Sequence, residues 1–340
     1  MFDCYLQKVV GGEFLNAEEA RHCAAMLLHD KVADAKAAAL LSAMRTRKEN
    51  ADELIGFIQA LYEEAIILDT GMELIDTCGT GGDGLNTFNI STAAALVAAS
   101  CGIPVAKHGN SAVTGRVGSA DVLEALGVNI RMQPTQAQRL LEKTGISFFF
   151  APFYHPVLKE IGPLRRQLGV ATIFNFLGPL LNPCKPVYQV IGIYDPSLQD
   201  TVAHTLMKLG RKRAWVIHAE NGMDEISPVC ATRIVDIKDN TLYDYQLQPS
   251  DLGVGPFALT DIQGGDLKLN TRIVREVLDG QLGPRREAVL LNTAGALMTA
   301  GRAKDMQEGM QIAAEAIDSG KTWETLRNMV SFSQDGVMVC

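Results

Sequence analysis

From Gly79 to Gly84 the chain carries only two side chains, those of Thr80 and Asp83, within the segment Asp76-Thr77-Cys78-Gly79-Thr80-Gly81-Gly82-Asp83-Gly84. Gly79, Gly81, Gly82 and Gly84 can take positive φ and let backbone N–H groups converge on an anion such as phosphate. A carboxylate at Asp83 does not suit a bare anion pocket. It suits one that takes phosphate together with Mg²⁺ or several hydroxyls. The glycine spacing is not GxGxxG, and no Lys-Ser/Thr succeeds it as in a Walker loop. The loop runs instead into Asn86-Thr87-Phe88-Asn89-Ile90-Ser91-Thr92, whose amides and hydroxyls suit sugar hydroxyls, phosphate oxygens or a metal.

A second polar cluster is Lys107-His108-Gly109-Asn110-Ser111, continuing through Ala112-Val113-Thr114-Gly115-Arg116 to Ser119. Lys107 and Arg116 can neutralise phosphate charge. Asp224 and Glu225 form an adjacent acidic pair after the apolar stretch Ala214-Trp215-Val216-Ile217; such pairs are more often solvated, but hard oxygens also suit Mg²⁺. Arg165, in an Arg-Arg pair otherwise typical of a solvated helix face, has the planar fork that matches a carboxylate. Phe153 and Tyr154, beside His155, read as core aromatics. No Ser/His/Asp or Cys/His arrangement stands out, so a covalent step lacks a nucleophile.

These groups must be positioned by strand-loop-helix units. Glu73-Leu74-Ile75-Asp76 reads as a strand end, and Ser91-Thr92 as Ser/Thr caps of the helix running to Ala99. Free N–H groups and a partial positive charge at that helix start favour an anion. Ile103-Pro104-Val105-Ala106 is the next strand. Loops at the carboxyl ends of neighbouring parallel strands share one edge of the sheet, so the two polar clusters face a common crevice. Up to about Leu68 the pattern is of amphipathic helices, one opened by Asn16-Ala17-Glu18-Glu19 and another capped by Asn50-Ala51-Asp52-Glu53. The expected fold is α/β: a small helical domain over residues 1–70, joined by a returning segment near 158–185, and a larger domain of 71–157 and 186–340 with a mainly parallel central sheet. Asn292-Thr293-Ala294-Gly295-Ala296-Leu297 lies in a small-residue helix suited to packing on that sheet.

At 340 residues with 47% hydrophobic and 21% charged, the chain is long enough for two domains with sizeable cores. A net charge of −8 argues against a nucleic-acid partner. Seven scattered cysteines without CxxC read as reduced thiols, Cys78 among them as a small buried filler. No leader-like start or uninterrupted apolar span is evident, so no membrane association and a cytoplasmic location are expected.

In order, GTGGDG, TFNIST, KHGN, GSADVLEALG, TIFNFLGPLLNP and GMDEIS resemble the anthranilate phosphoribosyltransferases of tryptophan biosynthesis, over nearly the whole chain. The resemblance implies an Mg²⁺-dependent transfer of phosphoribose from 5-phosphoribosyl-1-diphosphate to the amine of anthranilate, with release of pyrophosphate and two Mg²⁺ ions. It implies donor contacts by Gly79, Gly82, Asp83, Thr87, Asn89, Ile90, Ser91, Thr92, Lys107, His108, Gly109, Asn110, Ser111, Ala112, Val113, Thr114, Gly115 and Ser119. Acceptor contacts fall to Gly79, Asn110, His155 and Arg165, and metal contacts to Ser91, Asp224 and Glu225. It also implies a helical domain that packs across the cleft and forms a homodimer interface.

Members of that family usually have Arg after KHGN and a Ser-Ser-Lys run before GSAD. This chain has Ser111 and Thr114-Gly115-Arg116 there. Arg116 can restore the cation from a different backbone position, and Thr114 keeps a hydroxyl. Two other readings compete: a pyrimidine-nucleoside phosphorylase using the same cleft, mildly favoured by Thr114-Gly115-Arg116, and a non-catalytic nucleic-acid-binding relative. The Asp224-Glu225 pair opposes the first and the acidic balance the second. The chemistry expected is direct displacement at the anomeric carbon, driven by positioning and by charge stabilisation of the leaving group.

Overall fold

A computed structural model describes residues 1–29, 32–111 and 117–335. Four helices come first: α1 (Phe2–Val10), α2 (Ala17–His29), α3 (Asp34–Arg47) and α4 (Ala51–Glu63). Strands and helices then alternate through β1 (Ile75–Gly79), α5 (Ile90–Ser100), β2 (Val105–Gly109), α6 (Ser119–Ala125), α7 (Pro134–Thr144) and β3 (Ile146–Phe150). The chain returns to the helical layer through α8 (Ala151–Tyr154), α9 (Leu158–Leu168) and α10 (Phe174–Leu177). It completes the sheet with β4 (Tyr188–Gly192), α11 (Gln199–Lys208), β5 (Arg213–Ala219), β6 (Thr232–Lys238) and β7 (Thr241–Leu247). Helices α12 (Leu267–Leu278), α13 (Pro284–Thr299), α14 (Met306–Asp318) and α15 (Lys321–Gln334) close the fold.

The helical layer forms where local signals direct it. α2 opens on a reciprocal cap, Glu19 N–H to Asn16 Oδ1 at 2.9 Å and Asn16 N–H to Glu19 Oε2 at 2.9 Å, and α4 repeats the device with Asn50 and Glu53. Each such cap stabilises its helix by about 1 kcal/mol. α2 and α4 approach closely because Gly56 has no Cβ: one there would lie 2.4 Å from Ala17 O and 2.5 Å from Ala20 Cβ. Residues of α10 pack on this layer, with Phe174 edge-on to Phe57 at 5.7 Å between ring centroids and the Arg45 guanidinium 4.8 Å from the Phe176 ring centre.

The seven strands lie in the order β3-β2-β1-β4-β5-β6-β7. β1 to β5 are parallel and β6 and β7 antiparallel. Both faces are covered, so alternate residues enter different cores: Trp215 and Ile217 of β5 face α5 and α13, while Ala214 and Val216 join the core that includes α11 and the helical layer. Gly295 of α13 sits against Ile226 and Trp215, where a Cβ would come within 2.7 Å and 3.2 Å. The chain starts at β1, works outward to β3, then jumps back to β4 on the other side of β1. The carboxyl ends of β1 and β4 therefore open a crevice at the reversal of strand order.

Candidate active site

The crevice is a cleft of about 510 Å³ lined from both polar clusters of the sequence. At its floor, Gly79 of β1 pairs in register with Gly192 of β4. Neither position tolerates a Cβ, because the Asp224 loop lies on them: a Cβ on Gly79 would meet Asp224 Oδ2 at 2.2 Å, and one on Gly192 would meet Asp224 O at 1.5 Å. The next residues turn sharply, with φ of +65° at Gly81, +85° at Gly82 and +72° at Gly84. Thr80 N–H donates to Gly192 O at 2.9 Å, and Gly81 N–H to Asp224 Oδ2 at 2.6 Å. The glycine loop is thus tied to β4 and to the acidic loop after β5.

Asp83, Asp224 and Glu225 come together, with one carboxylate oxygen of each within 4.8 Å of the others. Asp83 Oδ2 and Glu225 Oε2 are buried without a hydrogen-bond partner. Burial raises the pKa of all three; the Asp83 carboxylate pushes Asp224 up further, and Asp224 and Asp83 do the same to Glu225. Three crowded carboxylates, two of them with an oxygen lacking a partner, could hold a hard cation, and Mg²⁺ fits their chemistry. Sequence reasoning placed Asp83 with the donor and missed its meeting with the acidic pair.

α5 starts at Ile90, not at Ser91, and its N-cap is Asn89, whose side chain makes no capping bond. That amide is engaged elsewhere, donating to Val117 O at 3.2 Å and accepting from Asn270 at 3.0 Å. Ser91 and Thr92 therefore fall inside the first turn rather than capping it. Ser91 lines the cleft, but Ile90 is fully buried in the core and its N–H donates to Phe88 O. Thr92 is 1% exposed and also lies behind the lining.

Thr87, Asn89, Gly109, Asn110, Ser111 and Ser119 line the cleft, and the Ser111 N–H is held by Asn110 Oδ1 at 2.8 Å. Ala112, Val113, Thr114, Gly115 and Arg116 lie outside the described residues. Lys107 borders the cleft but is only 3% exposed, with Nζ donating to Thr77 O at 2.7 Å. Burial lowers its pKa, against the pull of the Asp76 carboxylate. Asp76 itself is pushed up to about 6 by burial, though Asn182 Nδ2 donates to it at 2.8 Å.

The proposed acceptor residues are less gathered. His108 lines the cleft and packs edge-on against His155, with ring centroids 5.4 Å apart. Burial and the facing His155 lower the His108 pKa to about 3, so the ring is neutral. His155 is spoken for by Leu181 O at 2.6 Å from Nε2 and stands behind the lining. Arg165, half-buried on α9, lies with its guanidinium 5.9 Å from the Phe174 ring centre and does not line the cleft. Tyr154 is core as expected, whereas Phe153 is exposed. Cys78 is a half-buried part of the lining rather than an interior filler, and burial beside Asp76 keeps its thiol protonated.

Gly265 and Asn270 of the cleft wall escaped sequence reasoning. The available signal was Gly264-Gly265-Asp266 before a helix, a second Gly-Gly-Asp like that of the first loop.

A glycosyl transferase family model for the helical bundle domain matches residues 4–65, and one for the a/b domain matches residues 71–323. An anthranilate phosphoribosyltransferase of Syntrophomonas wolfei is 63% identical over 340 residues, covering 100% of each chain. The crystal structure of the Thermus thermophilus enzyme of that name superposes with a TM-score of 0.91 at 37% identity, covering 97% of this chain and 99% of its own. A Saccharomyces cerevisiae anthranilate phosphoribosyltransferase in complex with PRPP and Mg superposes with a TM-score of 0.90 at 27% identity, covering 98% of each.

Proposed function

The chain belongs to the anthranilate phosphoribosyltransferase family, and on that premise we propose how its cleft transfers phosphoribose from 5-phosphoribosyl-1-diphosphate to the amine of anthranilate, a step of tryptophan biosynthesis. The observation that carries the assignment is the Asp83, Asp224 and Glu225 cluster set against the glycine loop. Backbone N–H groups receive the diphosphate, and Asp83, Asp224 and Glu225 would hold the cation that balances it. Mg²⁺, when bound, supplies charge neutralisation for the departing pyrophosphate.

Gly79, Gly82, Thr87, Asn89, Ser91, Lys107 and Ser119 make up the donor half, with Gly109, Asn110 and Ser111 along its rim. Ser91, which lines the same cleft, would join the acids at the metal. Three carboxylates and a hydroxyl would supply oxygens for two Mg²⁺ ions. Asn110 serves the acceptor end with Gly79; His155 and Arg165 stand outside the lining and would reach the acceptor only if α9 moves towards the cleft, the arginine then pairing bidentately with the acceptor carboxylate. The bond from the anomeric carbon to nitrogen forms as the bond to the pyrophosphate oxygen breaks, and the amine then releases a proton. Neutral His108 adds no charge to this region, and the protonated Cys78 leaves the displacement without a protein nucleophile.

We place the helical domain at residues 1–70 and 158–185, supported by the Phe57 and Phe174 contact. The exposed Met1, Val10 and Phe14 of that domain support a homodimer through it. A cytoplasmic location agrees with six described cysteines that are all free and with no described helix long and apolar enough to cross a membrane.

The test is the decay of anthranilate fluorescence on adding 5-phosphoribosyl-1-diphosphate and Mg²⁺, with pyrophosphate followed in the same sample. Matched decay and release are expected. Silence from folded protein, together with phosphorolysis of a pyrimidine nucleoside, would overturn the assignment.

A further inference from the structure

Residues 262–270 clasp the polar run 86–89. Phe88 N–H donates to Ile262 O at 3.3 Å, Gly264 N–H donates to Asn86 O at 2.8 Å, and Thr87 and Gln263 form an antiparallel bridge between them. Asn270, on α12 and 3% exposed, closes the clasp. Its Oδ1 accepts Gly265 N–H at 2.7 Å, and its Nδ2 donates to Asn89 Oδ1 at 3.0 Å.

This chain of bonds has a direction that no member can reverse alone. A backbone N–H only donates, so the end of Asn270 facing Gly265 must be oxygen and the other end nitrogen. That nitrogen only donates, so Asn89 must present its oxygen to Asn270 and its nitrogen to Val117 O, which it reaches at 3.2 Å. Val117 takes one hydrogen of Asn89 Nδ2. The second remains for an oxygen in the cleft, which Asn89 lines. A Cβ on Gly264 would lie 2.3 Å from Asn270 Oδ1 and 2.9 Å from Phe88 Cα, so the clasp leaves no slack.

We propose that Asn270 is a positioning residue for the phosphoribosyl donor: through Asn89 it fixes which amide atom faces the cleft and ties that choice to the end of the loop after β2. The inference rests on the donor site assigned above.

The test uses the full-length protein, with donor binding followed by calorimetry in Mg²⁺ without acceptor, alongside steady-state kinetics and thermal unfolding. Asn270→Ala is expected to weaken donor binding about tenfold, the loss of one oriented hydrogen bond, while the KM for anthranilate holds. Asn270→Asp keeps an oxygen for Gly265 N–H but cannot donate to Asn89, so its donor affinity should fall at least as far as that of Asn270→Ala; its buried carboxylate also lowers the unfolding temperature, so binding is read well below that temperature. The double variant Asn89→Ala, Asn270→Ala should bind no worse than Asn89→Ala alone. Additive losses, or Asn270→Asp with wild-type donor affinity, would overturn the positioning role. Gly264→Ala gives an independent arm if Asn270→Ala fails to fold, with the same donor-specific loss expected. A wild type that does not bind the donor defeats both the assigned site and this inference; one that binds it while the variants bind equally well defeats this inference alone.

Discussion

The carboxylate of Asp224 accepts the backbone N–H of Gly81 at 2.6 Å across 143 residues of chain. The contact exists because Gly79 and Gly192, paired in neighbouring strands, leave the volume that Asp224 fills. One bond therefore couples the shape of the glycine loop to the place of the acidic cluster.

Alanine at the two paired glycines separates that coupling from stability. Gly192→Ala drives a Cβ into the backbone of Asp224 and is expected to cost about 3 kcal/mol or more in urea unfolding. Gly79→Ala strikes chiefly the carboxylate end, with the Asp224 backbone oxygen farther off at 3.3 Å, so it should fold with a smaller loss, yet lose about a hundredfold in turnover as the cluster shifts. Equal losses of stability would show that the Asp224 side chain gives way no more easily than its backbone, and wild-type turnover in Gly79→Ala would show that it yields without consequence.

Asp83→Asn removes one of three crowded carboxylates. Without metal, in EDTA, the variant should unfold at a higher temperature than wild type, since a like-charge repulsion is gone. With Mg²⁺ the order should invert, because the wild type gains stabilisation from a bound cation and the variant gains little. Calorimetric scans with and without Mg²⁺ check both signs.

His108 gives a pH signature. Its folded pKa of about 3 lies below the ordinary histidine value of about 6.5, so its neutral form contributes stability above pH 6.5 that is lost as pH falls towards 3. Asn at this position can still donate to Gly178 O, which His108 Nδ1 reaches at 3.2 Å, and it cannot be protonated. His108→Asn should therefore lose less stability than wild type between pH 7 and pH 4.5. Parallel curves in urea would exclude His108 as the source.

Asn182, wholly buried, donates to Asp76 Oδ2 at 2.8 Å and to Ala106 O at 2.7 Å, fastening β1 to β2 beneath the cleft. Asn182→Ala leaves a buried carboxylate short of a donor and should cost about 3 kcal/mol in denaturant unfolding. A loss under about 1 kcal/mol would mean that water replaces the amide.

Local chemistry made much of this protein legible. Glycines at 81, 82 and 84 announce a left-handed turn, Asn16 with Glu19 and Asn50 with Glu53 announce helix starts, and the unbroken apolar run Ala214-Trp215-Val216-Ile217 suits a strand covered on both faces. These signals act over a few residues, so propensity and period suffice to read them. The sequence by itself determined the glycine loop, the acidic pair, the mixed fold and the family resemblance. Only the tertiary structure brought Asp83 to Asp224 and Glu225, turned Lys107 inward onto Thr77 O, set Arg165 away from the cleft lining, and joined Asn270 to Asn89 across 181 residues. Those outcomes depend on the reversal of strand order between β1 and β4 and on which buried polar atoms find partners there. Both are properties of the packed whole, because the free energy of a buried polar group is set by neighbours far away in the chain.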